Sequence, residues 1–420
     1  MVRKVAVSSF LGNFIEWFDY ASYSYFATTI ALVFFPTDNH TVAMLQTFGV
    51  FALSFILRPI GALFWGSYGD KKGRKAALAH SIMFMSGASF LIGCLPSYSV
   101  IGVGAPILLL LLRMVQGFSA SGEYAGAATF LGEYAPTKKR GIYCSLIPAS
   151  TAIGLLAGST LATVMTASLS SDALTSWGWR IPFLLAGPLG LITHYMREHL
   201  SDSPVYAKMQ HDLESKKGNT ARAPFRTLIK KHPRVLLISF GACMLNAVGF
   251  YAVLTYLPNY LIDTVHYDSA SASLITTICL VVYIAFIFFS GHISDKFGRK
   301  KMLVTACVGF VVLTIPAFYM LGTKDFVTIL AVELVMCFLL TINDGTLSSY
   351  LTETFSTSVR FTGFAFSFNL ANAIFGGTAQ FIATWLIYAT GSSIAPAWYM
   401  VAVAAVALVA MILSHENTDK

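Results

Sequence analysis

The chain has 420 residues, of which 56% are hydrophobic and only 11% are charged, and its mean hydropathy is +0.67. Soluble domains carry about 25% charged residues, so this composition excludes a soluble globular protein and indicates an integral membrane protein. The net charge of +8 is compatible with nucleic-acid binding. Because most of that charge lies in short loops between apolar stretches, where it sets topology, we expect no nucleic-acid partner.

Twelve membrane spans are predicted, since a membrane helix needs about 20 apolar residues. They are residues 9–34, 44–68, 76–95, 104–134, 141–167, 180–198, 234–262, 269–293, 302–321, 326–354, 359–388 and 394–414. Only Met1–Lys4 precede the first long apolar stretch, so we expect no cleaved signal peptide. The sequence therefore predicts an all-α membrane fold with a six-helix half at 1–198, a polar cytoplasmic linker at 199–233 and a second six-helix half at 234–420.

The basic residues indicate the orientation of these spans. One set of loops contains the linker and the cations Lys71, Lys72, Arg74, Lys75, Lys138, Lys139, Arg140, Lys296, Arg299, Lys300, Lys301 and Arg360. The loops on the opposite side contain one such cation, Lys324. Positive loops stay in the cytoplasm, so we expect the first set and both termini to be cytoplasmic.

A charged stretch occurs twice, as GSYGDKKGRK from Gly66 and as GHISDKFGRKK from Gly291. Its glycines permit a tight reversal of the chain, and its aspartate has cations within reach. A Glu–Arg spacing is also repeated near the ends of spans four and ten. We predict that these repeats form a conformational latch, although a charged hairpin that only sets topology remains the alternative. The latch residues are Asp70, Arg74, Glu133, Arg140, Asp295, Arg299, Glu353 and Arg360.

Repeated halves favour a transporter with a substrate site near the middle of the membrane. A channel is the less favoured alternative, because no stretch resembles a selectivity filter. No glycine loop for phosphate binding is present, so we expect neither ATP-driven pumping nor a cofactor. The six cysteines show no spacing typical of a metal site, and we expect no metal and no enzymatic activity.

Charged side chains inside the spans are the candidates for proton coupling, because burying a charge in lipid costs at least about 2.5–3.5 kcal/mol. Asp19 and Glu16 share a face of span one with two tyrosines. A carboxyl group removed from water can exchange a proton near neutral pH. We predict that the proton-carrying group is among Asp19, Glu16, Glu123 and Asp344. Internal ion pairs that fix helix packing are the alternative role for each.

Arg113, with Gln116 one turn on, is the predicted anchor for a substrate carboxylate, because arginine presents a planar fork of donors. Arg58 is a second cation whose role is either structural or binding. The amides of span eleven could either bind substrate or bridge helices, and the aromatics of span seven could form either a gate or an interface belt. The further predicted substrate-binding residues are Trp17, Tyr20, Tyr23, Asn246, Tyr251, Tyr256, Asn343, Asn369 and Asn372.

The repeated charged stretch resembles the signature loop of the major facilitator superfamily. More specific stretches resemble its metabolite:proton symporter family, whose members include proline/betaine, 2-oxoglutarate, citrate and shikimate carriers. They are GNFIEWFD from Gly12, RPIG from Arg58, QGFSASGEY from Gln116, WGWRIPF from Trp177 and the run from Arg360 to NAIFGG at Asn372. The resemblance implies a twelve-helix fold, a bacterial inner-membrane location and proton symport of a small organic solute. It also suggests a functional monomer.

The resemblance leaves the solute open. The stretch FYAVLTYLPNYL from Phe250 is most similar to proline/betaine carriers, whereas NAIFGG is similar to citrate and 2-oxoglutarate carriers too. A zwitterion needs one cationic contact and one anionic or aromatic contact, which Arg113, Asp19 or Glu16 and the span-one aromatics could provide. A di- or tricarboxylate would need more cations than Arg58 and Arg113, so the zwitterion is favoured. A sensor that binds solute without transport is a further alternative.

One departure concerns osmotic regulation. Some osmosensing proline/betaine carriers extend into a long C-terminal coiled coil. This chain ends at Lys420, so we do not expect activation by that device.

Overall fold

The computed structural model describes residues 1–35, 40–215 and 224–414. Parts of three predicted segments lie outside these residues. They are 36–39 of the loop at 35–43, 216–223 of the linker, and 415–420 at the C-terminal end.

The described residues form helices and no strands. Up to residue 215 the α-helices are α1 (Val2–Tyr25), α2 (Ala27–Phe34), α3 (His40–Ile56), α4 (Arg58–Lys72), α5 (Arg74–Cys94), α6 (Tyr98–Ile101), α7 (Gly104–Ala120), α8 (Glu123–Tyr134), α9 (Arg140–Cys144), α10 (Leu146–Ser168), α11 (Ser171–Ser176), α12 (Ile181–Glu198) and α13 (Pro204–Ser215). From residue 224 they are α14 (Pro224–Lys231), α15 (Pro233–Tyr251), α16 (Leu257–Asn259), α17 (Ser269–Phe297), α18 (Arg299–Leu321), α19 (Phe326–Thr354), α20 (Arg360–Ala371), α21 (Ala379–Thr390) and α22 (Ala395–Leu413). Two 3-10 helices cover Thr137–Lys139 and Gly178–Arg180, and three π-helical turns cover Ala252–Tyr256, Tyr260–Thr264 and Asn372–Gly376.

Within the described ranges, nine helical stretches are long and apolar enough to cross a membrane. They are Arg74–Cys94, Gly104–Tyr134, Thr137–Ser168, Pro233–Thr264, Ser269–Phe297, Arg299–Leu321, Phe326–Thr354, Arg360–Thr390 and Ala395–Leu413. The other three predicted spans are helical as well, as α1 with α2, α3 with α4, and α12. The first helix starts at Val2, earlier than the predicted start at residue 9, because apolar length marks the membrane crossing and not the end of the helix.

Large apolar side chains point outward along the spanning helices. Leu237 is 71% exposed, Val327 71% and Phe381 73%. Such a surface would aggregate in water but matches the hydrocarbon of a bilayer. The protein is therefore a multi-pass membrane protein.

One compact unit comprises Met1–Tyr134 and Ser150–Pro224. Part of its apolar core is aromatic, and the rings of Phe34 and Trp179 meet edge to face at 5.4 Å between centroids. Its helices approach closely at glycines. A Cβ at Gly117 of α7 would collide with the carbonyl oxygen of Ser54 in α3, so only glycine permits this approach.

The other unit comprises Ala135–Ala149 and Phe225–Lys420. It thus includes α9, which packs against α17 and α19. A Cβ at Gly345 of α19 would lie 2.8 Å from the carbonyl oxygen of Ile287 in α17, so glycine again sets the helix separation.

The two copies of the charged stretch share one backbone device. Gly73 separates α4 from α5 with a φ of 108°, and Gly298 separates α17 from α18 with a φ of 94°. L-residues with side chains rarely adopt such a φ. The structure therefore confirms that a glycine makes the reversal in each copy.

Candidate functional site

Asp19 and Arg113 form a buried ion pair between α1 and α7. Arg113 Nη1 lies 2.8 Å from Asp19 Oδ2, and the Arg113 side chain has no exposed surface. The guanidinium carbon lies 3.7 Å from the centroid of the Tyr23 ring. In the described part of the chain, Nε and Nη2 of Arg113 and Oδ1 of Asp19 have no hydrogen-bond partner. The pair therefore retains unused donors and an unused acceptor, which a bound solute or a proton could engage.

Glu16 and Arg58 form a second pair, one turn earlier on α1. Arg58 Nη2 lies 2.8 Å from Glu16 Oε1, and both side chains are buried. The Arg58 guanidinium also lies 4.8 Å from the Tyr20 ring centroid, and the Trp17 ring lies 6.0 Å from that of Tyr20. The predicted face of span one is thus inside the unit and carries two carboxylates, each with its own arginine.

Glu123 and Arg197 form a third buried pair, between α8 and α12. The contact is bidentate: Arg197 Nη1 donates to Glu123 Oε2 at 2.9 Å, and Nη2 donates to Oε1. Arg197 also donates to the carbonyl oxygens of Leu78 at 2.8 Å and Ser8 at 3.1 Å. Sequence reasoning missed Arg197. It stands beside Glu198 at the end of a span, a position typical of surface charge, and no spacing connects it to Glu123.

Gln116, predicted to act beside Arg113, donates to the Ser89 hydroxyl of α5. It therefore bridges two helices in the structure.

Asp344 is the buried carboxylate of α19 in the second unit. Its Oδ1 accepts hydrogen bonds from Asn246 at 2.7 Å and Asn343 at 3.0 Å, and its Oδ2 accepts one from Tyr283 at 2.7 Å. The structure thus brings together three predicted residues and adds Tyr283, which sequence reasoning missed. No ion pair is found for Asp344 among the described residues.

Glu333 lies three turns before Asp344 on the same helix and is 1% exposed. Among the described residues, its one hydrogen-bond donor is the thiol of Cys279, with Sγ 3.8 Å from Oε2. Within the described ranges it too has no ion pair. Two carboxyl groups of α19 are therefore buried without a neighbouring cation.

The amide side chains of span eleven do not form one continuous stripe along the helix. Asn369 and Asn372 donate to the carbonyl oxygens of Ala365 and Phe368 in their own helix. A π-helical turn starts at Asn372, and its wider turn changes the phase of the residues beyond it. Gln380, further along, donates to the hydroxyl of Thr255 at 2.8 Å.

Tyr251 precedes another π-helical turn, Ala252–Tyr256, and Tyr256 is the last residue of that turn. Tyr251 packs against Gly376, where a Cβ would lie 2.8 Å from the tyrosine ring. The ring of Tyr256 lies 6.1 Å from that of Tyr260.

The first copy of the charged stretch is held by an ion cluster. Arg74 Nη1 lies 2.8 Å from Asp70 Oδ1, and Nη2 lies 3.1 Å from Glu133 Oε1. The linker joins this cluster. Asp202 accepts from the backbone N–H of Arg74 at 3.1 Å, and Ser203 donates to Glu133. Burial raises the pKa of the Asp202 carboxyl, and the backbone N–H groups oppose that rise.

The second copy uses its aspartate differently. Asp295 pairs with Arg299 at 2.7 Å and also accepts from the backbone N–H groups of Gly141 at 2.8 Å and Ile142 at 3.1 Å. Glu353 lies 3.4 Å from Arg299 and 3.2 Å from Arg140. Seven of the eight predicted latch residues thus occur in two ion clusters.

Arg360 is the remaining predicted latch residue. Its Nε donates to the carbonyl oxygen of Phe355 at 3.1 Å, at the start of α20.

A cavity of about 640 Å³ opens in the second unit at the loop ends of its helices. Tyr260, His266, Phe318 and Lys324 are among its lining residues, and His266 and Lys324 have φ values of 57° and 58°. None of the predicted site residues lines this cavity. Over the described residues, no group of three or more His, Cys, Asp or Glu could hold a metal ion.

Curated relatives match almost the whole chain. A proline/betaine transporter of Salmonella typhimurium is 34% identical over 426 residues, covering 100% of this chain and 84% of its own. The glycine betaine/proline/ectoine/pipecolic acid transporter OusA of Dickeya dadantii is also 34% identical over 426 residues, with the same coverage.

Solved structures match the fold. The proton:xylose symporter XylE, bound to 6-bromo-6-deoxy-D-glucose, superposes with a TM-score of 0.79 at 18% identity, covering 97% of this chain and 94% of that chain. The transporter FucP, in the outward conformation, gives a TM-score of 0.70 at 13% identity, covering 99% of each chain. These matches confirm the predicted twelve-helix all-α fold.

The family model of the Major Facilitator Superfamily matches residues 10–379 and 257–418. The resemblance inferred from the sequence is confirmed, and a transporter fold confirms that the protein is not an enzyme. The chain belongs to the major facilitator superfamily of solute transporters.

Proposed function

We propose that this protein is a proton-coupled symporter that imports a small zwitterion, such as proline or glycine betaine, by alternating access. Two relatives with 34% identity over the whole chain carry names that include proline and betaine. The fold neighbour XylE is named a proton:xylose symporter. These names describe those proteins, and they support the same solute class and the same coupling ion here.

The balance of buried charge carries the choice of solute. In the first unit, each of the three arginines deep in the spans faces a carboxylate of its own, at Glu16, Asp19 and Glu123. In the second unit, Glu333 and Asp344 are buried without a described cation. A dianion or trianion would need surplus positive charge to offset its loss of hydration. While their carboxylates are ionised, these three arginines provide no such surplus, whereas a neutral zwitterion adds no net charge.

The Asp19–Arg113 contact supports a coupling mechanism. Protonation of Asp19 would remove the negative charge that occupies Arg113 Nη1. The arginine could then present its fork to the solute carboxylate, because Nη2 and Nε already lack a partner among the described residues. Proton binding would thereby raise solute affinity, and by linkage the solute would raise proton affinity. Glu16, paired with Arg58 one turn away, is the second proton candidate.

Transport by reconstituted protein tests the proposal. Liposomes with an inward proton gradient would receive labelled proline and glycine betaine in one series, and 2-oxoglutarate and citrate in the other. We expect uphill, electrogenic uptake of the zwitterions alone, since a neutral solute with one proton moves net charge. Uptake of the carboxylates, with no net charge for a dianion carried with two protons, would instead establish the alternative carboxylate symporter. Binding without uptake would indicate a sensor, and passive flux without accumulation a channel.

The membrane location, the topology and the oligomeric state of the protein belong to the same proposal. We propose the bacterial inner membrane, with both termini cytoplasmic because the basic loops lie on that side. We also propose two six-helix halves at 1–198 and 234–420 joined by the linker at 199–233, and function as a monomer.

A further inference from the structure

The surroundings of Asp344 differ from those of the first unit's carboxylates. Asp344 is 1% exposed and accepts three hydrogen bonds, all from the neutral groups of Asn246, Asn343 and Tyr283. Neutral donors stabilise a carboxylate charge without cancelling it. Because no described Lys, Arg or His forms an ion pair with Asp344, this carboxylate can offer a negative charge to a cation that the described residues do not supply.

One aromatic residue contacts this carboxylate, and further rings pack against it. The Tyr283 ring, whose hydroxyl bonds Asp344, is fully buried, and the Phe250 ring meets it at 6.4 Å between centroids and 77° between planes. Phe250 in turn meets Tyr251 at 5.7 Å. A quaternary ammonium group has no N–H to donate, so proteins bind it through aromatic faces and a nearby negative charge. Both are present within one unit.

The backbone of α15, which carries Phe250 and Tyr251, becomes irregular directly beyond these rings. The π-helical turn Ala252–Tyr256 begins immediately after Tyr251, and the turn Asn372–Gly376 packs against the Tyr251 ring. Single π-helical turns inside α-helices occur frequently at functional sites. The backbone irregularity thus coincides with the aromatic rings near Asp344.

We propose that Asp344, with the rings of Tyr283 and Phe250, binds the ammonium group of the transported solute. This inference rests on the proposed function, since it requires a solute with a positive charge. Glu333 serves as the internal contrast: it is a buried carboxyl on the same helix, but a thiol is its one donor and no ring pair of the kind at Asp344 adjoins it among the described contacts.

Equilibrium binding to the purified protein tests this proposal. The probes are labelled glycine betaine, tetramethylammonium and 3,3-dimethylbutanoate. The last is an isostere of glycine betaine that has carbon in place of nitrogen, so it keeps the carboxylate but lacks the positive charge. Wild-type protein should bind the isostere at least about tenfold more weakly than glycine betaine, and tetramethylammonium should compete. Asp344→Asn should weaken glycine betaine binding by about 30-fold or more, and should not weaken binding of the isostere. Glu333→Gln, the matched control, should keep the wild-type preference for glycine betaine over the isostere.

Equal affinity of the wild type for glycine betaine and its isostere would overturn the proposal, and this comparison needs no variant. Glycine betaine binding by folded Asp344→Asn within about threefold of wild type would also overturn it. The proposed function fails separately, if no zwitterion is taken up with protons. In that event, tetramethylammonium binding that disappears in Asp344→Asn would still support an ammonium site, and its persistence would reject one.

Discussion

Replacing Glu123 with glutamine would leave the Arg197 guanidinium buried with only neutral partners. Both side chains are 1% exposed, and the carbonyl oxygens of Ser8 and Leu78 would remain as acceptors. Removing one partner of a buried ion pair costs about 3–5 kcal/mol. Because two acceptors persist, we expect a loss near the lower end, about 3 kcal/mol.

The expected loss converts to a shift in melting temperature. The first unit comprises Met1–Tyr134 and Ser150–Pro224, a size for which 1 kcal/mol corresponds to about 2–4 °C. Glu123→Gln should therefore lower the melting temperature of the detergent-solubilised protein by about 6–12 °C. The readout is the fraction that elutes as folded protein after heating.

A double-mutant cycle separates the ion pair from general disruption. Arg197→Met should cost a similar amount, because it leaves Glu123 without its cation. The double variant should cost less than the two single variants together, by about 2 kcal/mol or more. Glu198→Gln is the matched control: its side chain is 57% exposed, so we expect a change within about 0.5 kcal/mol. Additive costs, or a melting temperature of Glu123→Gln equal to that of the control, would refute the reasoning.

Three further variants test the site and the linker. Asp19→Asn should abolish proton-driven accumulation, while Asp172→Asn, at an exposed position of α11, should leave it intact. Wild-type accumulation and pH dependence in Asp19→Asn would exclude this residue from coupling. Arg113→Lys should weaken solute binding by about tenfold or more, since the fork of donors is lost. If its solute affinity equals that of the control Arg180→Lys, Arg113 does not anchor the solute carboxylate. Gly73→Ala should lower the free energy of unfolding by about 1–2 kcal/mol, because φ is 108° and the new Cβ would collide with Asp202. The linker of this variant should therefore be cleaved faster in limited proteolysis than the linker of Gly102→Ala. Gly102 also has a positive φ, but a Cβ added there meets open space. Equal cleavage of these two glycine variants would contradict the docking of Asp202 on this turn.

The sequence predicts the fold well because the membrane imposes simple rules. A hydrocarbon layer of fixed thickness sets the length of each apolar stretch, and charge asymmetry sets its direction. The break at Phe26 was not predictable, since this residue is neither glycine nor proline and the apolar pattern continues through it. The break at Leu57 does have a sequence signal, because Pro59 lies in the first turn of α4.

The candidate site was predictable only as a set of unusual residues. A charge in an apolar stretch is conspicuous, which is why Glu16, Asp19, Arg58 and Arg113 stand out. Their pairing depends on which helices pack together, and sequence spacing carries no such information. The role of Tyr283 could not be predicted for a different reason. A single tyrosine in a long apolar span is common, and only the structure shows that its hydroxyl bonds the buried Asp344.

The three π-helical turns have a consequence for how the second unit can move. Each turn accommodates one residue more than an α-helical turn. In the described residues, two of them lie before and after α16, and the third lies between α20 and α21. Converting one such turn to α-helix would rotate every residue beyond it by about 100° around the helix axis. Rewinding the turn Asn372–Gly376 would thus change the face that Gln380 presents. These spans can change which side chains they present by rewinding a single turn.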